Sequence, residues 1–201
     1  MTARLLTKQE LKKLYEEELK STFPPEELKP FRDMEELLDR GLYEPLGFFE
    51  GDRIAAYALL WAAPGVRYVL LDYLGVTSAR RGGGVGSAVL STLKEYMAGR
   101  WDGILAEVEA PDPASSELEQ QRRRLRFYER GGFSYAGYDT GLFGVHYCMY
   151  VCGKQEETRQ REAQERIYRT KFTPELYRRV VQLPLLPGEA LYLTENWSEM
   201  R

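Results

Sequence analysis

The stretch from Arg67 to Gly99 constrains this chain more than any other. It opens with Arg67-Tyr-Val-Leu-Leu-Asp-Tyr-Leu-Gly-Val76, a nearly continuous apolar run, as a strand covered on both faces requires. A glycine cluster follows, Arg80-Arg81-Gly82-Gly83-Gly84-Val85-Gly86, and then a helix expected from Ser87 to about Gly99. Ile104-Leu-Ala-Glu-Val108 reads as a second buried strand. A strand, a glycine loop, a helix and a strand in that order imply a crossover within a sheet.

The flanking segments read as hairpins and helices. Thr7 and Glu10 form a capping box ahead of Leu11, Leu14 and Leu19. Phe23-Pro24-Pro25 ends that helix, and Phe31, Met34, Leu37 and Leu38 mark a second one before Gly41. Leu46 to Glu50 and Arg53 to Trp61 pair about Gly51-Asp52. A basic helix runs from about Glu117 to Arg130 and stops at Gly131-Gly132. Phe133 to Tyr138 and Leu142 to Val151 read as a closing hairpin about Asp139-Thr-Gly141. The fold class is therefore α/β (mixed α+β): a mixed, mostly antiparallel sheet with helices on both faces, three layers in all. Lys154 to Lys171 reads as a solvated helix with few apolar anchors besides Ala163 and Ile167, and Thr173-Pro174-Glu175 starts a short one. Leu191-Tyr-Leu193 is expected as an edge strand. The organisation expected is one domain over residues 1–152 and an appendage over 153–201. The appendage covers the core or pairs two subunits as a homodimer.

Composition excludes several classes. The 201 residues are 43% hydrophobic and 29% charged, enough apolar material for a core, so wholesale disorder is excluded. No apolar run is long enough to span a membrane, and the start MTARLLTKQE lacks a signal-peptide core; a cytoplasmic location is expected. Two cysteines cannot make a disulfide scaffold. A net charge of -3 argues against a nucleic-acid partner.

The glycine loop carries the chemistry. A loop between a buried strand and a helix exposes the first amides of that helix, and the helix dipole adds positive charge there. Glycines admit a phosphate where side chains would collide, and an arginine adds charge-assisted bonds. A P-loop needs lysine after its last glycine, and Ser87 stands there. The dinucleotide fingerprint fits at Gly82 and Gly84 but wants glycine or alanine at Ser87. Arg81-Gly82-Gly83-Gly84-Val85-Gly86 matches a third pattern, Gln/Arg-x-x-Gly-x-Gly/Ala. That pattern resembles the pyrophosphate loop of the GNAT N-acetyltransferase superfamily. The alternative is a flexible glycine turn.

Two further segments share the resemblance. Leu71-Asp-Tyr-Leu-Gly-Val76 is similar to the strand before the family's loop, and Arg126-Phe-Tyr-Glu-Arg-Gly-Gly-Phe133 to its later aromatic motif. The likeness covers roughly residues 5–152. It implies a GNAT-like three-layer fold and acetyl-CoA as co-substrate, with no metal. It further implies that backbone groups of Leu74, Gly75 and Val76 pair with the pantetheine arm. The amides of Gly82, Gly83, Gly84, Val85, Gly86 and Ser87, with Arg81, would hold the pyrophosphate. Gln121 stands where the family often has asparagine, within reach of a cofactor amide. Arg122, Arg123, Arg124 and Arg126 are solvent-facing charges, unless one of them reaches the ribose phosphate.

Acetyl transfer to an amine needs a proton removed, an oxyanion stabilised and a thiolate protonated. Tyr128 is the candidate acid, against a plain core aromatic. For the base, Asp72 is a carboxylate inside an apolar strand, equally readable as a structural partner for an arginine or a backbone amide. Glu107 on the next strand is the other candidate, and Glu109 is expected in solvent. His146, the sole histidine, shares strand parity with Cys148 and Cys152. These three spread along ~20 Å of strand, too far for a joint metal set, and the cysteines are too far apart for a disulfide. His146 is therefore expected as a core or substrate-rim residue. The acceptor is expected to be a small-molecule amine, or second a protein amine, bound near Phe23-Pro24-Pro25, Tyr43 and Asp139 to Gly141. A different class is a catalytically silent acyl-CoA-binding or sensing module.

Overall fold

The computed structural model describes residues 1–25, 27–81 and 84–192. In chain order the elements are β1 (Thr2–Leu5), α1 (Lys8–Leu14), a π-helical turn (Tyr15–Leu19), α2 (Lys20–Thr22) and α3 (Phe31–Asp39). Then come β2 (Tyr43–Glu50), β3 (Arg53–Trp61), β4 (Tyr68–Val76), a 3-10 turn (Ser78–Arg80) and α4 (Val85–Met97). The chain continues through β5 (Gly103–Glu109), α5 (Leu118–Arg130), β6 (Ser134–Leu142) and β7 (Val145–Gly153). It closes with α6 (Glu157–Arg169), α7 (Pro174–Val180) and β8 (Val181–Leu185). Among the described residues, two compact units separate: 1–64 with 71–98, and 65–70 with 99–192. No helix among them is long and apolar enough to cross a membrane.

The first unit holds β1, β2, β3 and the part of β4 from Leu71 on, in the order β1-β2-β3-β4. β2 pairs antiparallel with both β1 and β3, with Thr2 opposite Phe49 and Tyr43 opposite Trp61. The expected capping box is there: Glu10 N donates to Thr7 Oγ1 at 3.2 Å and Thr7 N to Glu10 Oε2 at 2.8 Å. It points α1 so that Leu11 and Leu14 are buried, while α3 buries Met34 and Leu37. Helix α4 lies against β1 and β3. Phe48 of β2 and Leu59, Leu60 and Trp61 of β3 are buried, the β3 residues alternating between the two faces of the sheet. The four-residue β1 was not expected, because its alternation is too short to stand out.

In the second unit the order is β5-β7-β6-β8, and β5 with β7, β7 with β6 and β6 with β8 all pair antiparallel. Successive β7 residues point to opposite faces. Met149 Sδ meets Gln164 Nε2 of α6 at 3.4 Å, whereas the Tyr150 hydroxyl donates to Glu129 Oε1 of α5 at 3.2 Å. The two helices therefore cover opposite faces, which is the three-layer arrangement expected.

Three expectations change here. The closing turn is Phe143-Gly144, with φ of 49° and 75°, so Asp139, Thr140 and Gly141 belong to strand β6 rather than to a loop. Both turn residues take positive φ, as a tight twisted hairpin requires. Second, the segment after 152 packs α6 on the sheet, in line with the covering role expected of it, and adds a strand, β8, that was not expected. β8 pairs with β6, Leu142 opposite Val181, and α6 buries Gln160, Ala163, Gln164, Ile167 and Tyr168. Third, Leu191 and Tyr192 form no strand, and Leu193 lies outside the described residues.

Candidate functional site

The approach to the glycine loop is tied down on several sides. Just after β4, Thr77 N donates to Ala55 O of β3 at 2.9 Å. Ser78 donates to Glu18 twice, from N at 2.9 Å and from Oγ at 3.0 Å. Arg80 is ion-paired with Glu50. Arg81 donates to Thr22 Oγ1 at 2.8 Å and to Val76 O at 3.4 Å, and it stays exposed. Gly82 and Gly83 lie outside the described residues. Gly84 then takes φ 72°, which glycine reaches without a Cβ penalty, and a Cβ there would meet nothing within 4 Å. Helix α4 starts directly after it, at Val85 rather than Ser87; Ser87 sits in the first turn, exposed, and is not the cap. No side chain caps this helix, so the amides of Val85, Gly86 and Ser87 lack intrahelical partners at the positive end of the dipole. Open space, unused amides and a nearby guanidinium suit an anion.

On β4, Leu74, Gly75 and Val76 are half-buried. Gly75 is required sterically: a Cβ would lie 2.3 Å from the Tyr57 hydroxyl oxygen. Burial pushes that hydroxyl up to about 12. Three residues before Gly75, Asp72 Oδ2 accepts from Lys29 Nζ at 2.8 Å and from the Tyr43 hydroxyl at 2.5 Å. Lys29 is fully buried, with its Nζ 3.8 Å from the Trp61 ring centroid. Of the two readings of Asp72, the structural one matches this geometry, with a lysine in place of the expected arginine. Tyr43, expected at the acceptor side, is buried in the same cluster. Phe23 stacks edge-on against Tyr73 at 4.9 Å.

In the second unit, Glu107 Oε1 accepts from the Tyr168 hydroxyl and from Gln164 Nε2 at 3.3 Å. Its donors come from α6, a helix expected to be solvated and given no part in the site. Gln121 is buried, with 3% of its surface exposed. Its Nε2 donates to Glu109 Oε1 at 2.8 Å and its Oε1 accepts from Asp112 N at 2.9 Å. Both ends of the amide pin the loop after β5. Glu109, expected in solvent, is held by Gln121 and by Arg124 at 3.3 Å.

Tyr128 differs from all of these. It is buried on α5, with its ring edge-on to Phe127 at 5.4 Å and Phe133 at 5.2 Å. Its hydroxyl takes no hydrogen-bond partner among the described residues. Burial pushes that hydroxyl up to about 12, against a smaller lowering by Arg124. The phenol therefore stays protonated at neutral pH.

Sequence reasoning missed Lys29, Gln164 and Tyr168. A carboxylate inside an apolar strand was the signal for a buried cation, but it did not say which one. Glutamine and tyrosine on a polar helix gave no signal at all.

The Acetyltransferase (GNAT) family model matches residues 9–133, more than half of the chain, and the chain belongs to that family. YjbC of Bacillus subtilis (strain 168), a protein named as an acetyltransferase, is 33% identical over 129 residues, 60% of this chain. The chain spans only 56% of that relative's length. A GNAT-family structure from Bacteroides thetaiotaomicron superposes with a TM-score of 0.65 at 24% identity, covering 81% of this chain and 92% of its own. An aminoglycoside acetyltransferase, AAC(6')-Ib, solved with coenzyme A and kanamycin, gives 0.56 at 21% identity, covering 80% and 98%. The spermidine N-acetyltransferase of Vibrio cholerae, solved with CoA and spermine, gives 0.55 at 13%, covering 75% and 95%. These structures establish a shared fold.

Proposed function

We propose that this protein transfers the acetyl group of acetyl-CoA directly to a primary amine of a small molecule. The observation that carries the reading is the uncapped start of α4. It presents main-chain amides behind a left-handed glycine, next to Arg81 and open space. In this reading those amides and Arg81 hold the pyrophosphate, and backbone groups of Leu74, Gly75 and Val76 hold the pantetheine arm. The amine attacks the thioester carbonyl, the carbon–sulfur bond breaks, and Tyr128 gives its proton to the departing thiolate. Water then restores the phenol and carries off the proton lost by the amine. Asp72 and Glu107 fit the roles of structural anchors better than that of base, because each is already held by buried donors. Small amines are favoured over protein amines because two structural neighbours were solved with cationic small molecules, spermine and kanamycin.

Thiol release from acetyl-CoA tests this against a panel of polyamines, aminoglycosides and lysine peptides. Turnover is expected with at least one small amine, and Tyr128→Phe is expected to lower kcat by about 100-fold or more while CoA still binds. Binding of CoA without release for any amine, and no effect of Tyr128→Phe, would instead mark a silent acyl-CoA module. Release only with lysine peptides would move the acceptor to protein.

A further inference from the structure

We propose that Asp139, His146 and Cys148 form a binding site for a divalent transition-metal ion, with Zn²⁺ the ion their donors suit best. The site follows from the register of the closing hairpin. With the turn at Phe143-Gly144, Asp139 stands opposite Cys148 and Gly141 opposite His146. His146 and Cys148 share a face because they are two apart on one strand, and Asp139 joins that face from across the ladder. One carboxylate oxygen, one imidazole nitrogen and one sulfur thereby come within 4.8 Å of one another. Cys152 lies further along β7 and is replaced in the cluster by a residue from the neighbouring strand.

The donor set and its surroundings agree with this assignment. Oxygen, nitrogen and sulfur ligands bind Zn²⁺ at about 2.0–2.3 Å, and three protein ligands leave a fourth position for water or a substrate. One carboxylate, one thiolate and a neutral imidazole balance a dication. The Asp139 oxygens are already oriented: Oδ2 lies 2.7 Å from His146 Nε2, and Oδ1 accepts from the Tyr135 hydroxyl at 3.0 Å. Such an outer hydrogen bond is how metal ligands are held in place. All three ligands are half-buried, so an ion has a route in. Between Tyr135 and Asp139 strand β6 carries four steps where β7 has two, a bulge that includes Gly137 at φ 94°. The bulge borders a cavity of about 800 Å³ lined by Asp139 and His146 on one side and Pro184 and Leu186 on another. The open coordination position can face that cavity, which would then admit a small ligand to the ion. None of this depends on acetyl transfer.

The test is titration of the untagged, chelator-stripped full chain with Co²⁺ and then Zn²⁺. One Co²⁺ per chain is expected, with a near-ultraviolet sulfur-to-cobalt band that Zn²⁺ abolishes. Cys148→Ser should remove the band and Cys152→Ser should keep it. His146→Ala should weaken Zn²⁺ binding by more than about 100-fold, and Tyr135→Phe by about 10–100-fold. The chain has a single histidine, so its ring signals in nuclear magnetic resonance should shift with Zn²⁺. Melting curves of each apo variant check that the fold persists. No band and no heat with Zn²⁺, a band that follows Cys152, or unchanged binding in a folded His146→Ala variant would each overturn the proposal.

Discussion

Asp72 and Glu107 are both carboxylates set inside apolar strands, and both were candidates for the same catalytic task, yet they are held in different ways. Asp72 in the first unit faces a buried ammonium, Lys29, with a tyrosine hydroxyl beside it. Glu107 in the second unit is held by neutral donors, the Tyr168 hydroxyl and the Gln164 amide. The difference decides what each residue leaves behind when it is removed. Loss of Asp72 strands a charge among Trp61 and Tyr43, whereas loss of Glu107 strands the Tyr168 hydroxyl and the Gln164 amide. A charge without its partner costs several times more than an unmatched neutral donor.

The largest effect should therefore be Asp72→Ala, expected to destabilise the fold by about 3–5 kcal/mol in denaturant unfolding. The double variant Lys29→Met with Asp72→Leu should recover most of that loss, because both charges leave together. If Asp72→Ala unfolds no more easily than wild type but loses all turnover, Asp72 is the base and the comparison fails. Glu107→Leu comes next, at about 1–3 kcal/mol, as two buried donors lose their acceptor. A Glu107→Leu cost equal to that of Asp72→Ala would erase the distinction between the two sites.

The loop before α4 and the helix that carries Tyr128 give smaller shifts in stability and larger ones in function. Gly84→Ala is expected to cost about 1–2 kcal/mol for the left-handed backbone alone, since the added methyl meets nothing. Gly84→Glu adds bulk and negative charge at the anion position and should abolish CoA binding in calorimetry at a similar cost in stability. Tyr128 contributes through pH. Its folded value of about 12 lies above the ordinary 10.0, so it favours the folded state at neutral pH, and that contribution is lost as pH rises from 10 toward 12. For the same reason, kcat should show no falling limb near pH 10 that Tyr128 could cause. A falling limb there that disappears in Tyr128→Phe would show an ordinary, solvated phenol.

How much of this was legible depends on which residues face inward. Where apolar residues do so the sequence reads well: Leu11, Leu14, Met34 and Leu37 marked their helices, and Gly131 marked the end of α5. Where polar residues do so it does not. Helix α6 buries Gln160 and Gln164, so it reads as solvated while it lies on the sheet and supplies the partners of Glu107. The closing turn misled for a related reason. Asp139-Thr-Gly141 has turn composition, while the true turn puts Phe143 at a positive φ that few phenylalanines adopt. With the turn misplaced, Asp139 had no register to Cys148, and the cluster with His146 could not be seen.

A third carboxylate, on the surface, sharpens the contrast at its low end. Glu10 accepts from both terminal guanidinium nitrogens of Arg4, at 2.6 and 3.0 Å, and from Thr7 N as part of the capping box. The Arg4 bond, followed by the Thr7 amide, lowers its carboxyl from the ordinary 4.5 to about 2. The folded value is the depressed one, so the stabilisation is fully present above 4.5 and is lost as pH falls toward 2. Water and salt screen this exposed pair, so Glu10→Gln should cost no more than about 1 kcal/mol at neutral pH. Wild type and variant should converge in melting temperature as pH falls from 4.5 toward 2. A cost matching that of Asp72→Ala would mean that burial is not what separates these carboxylates.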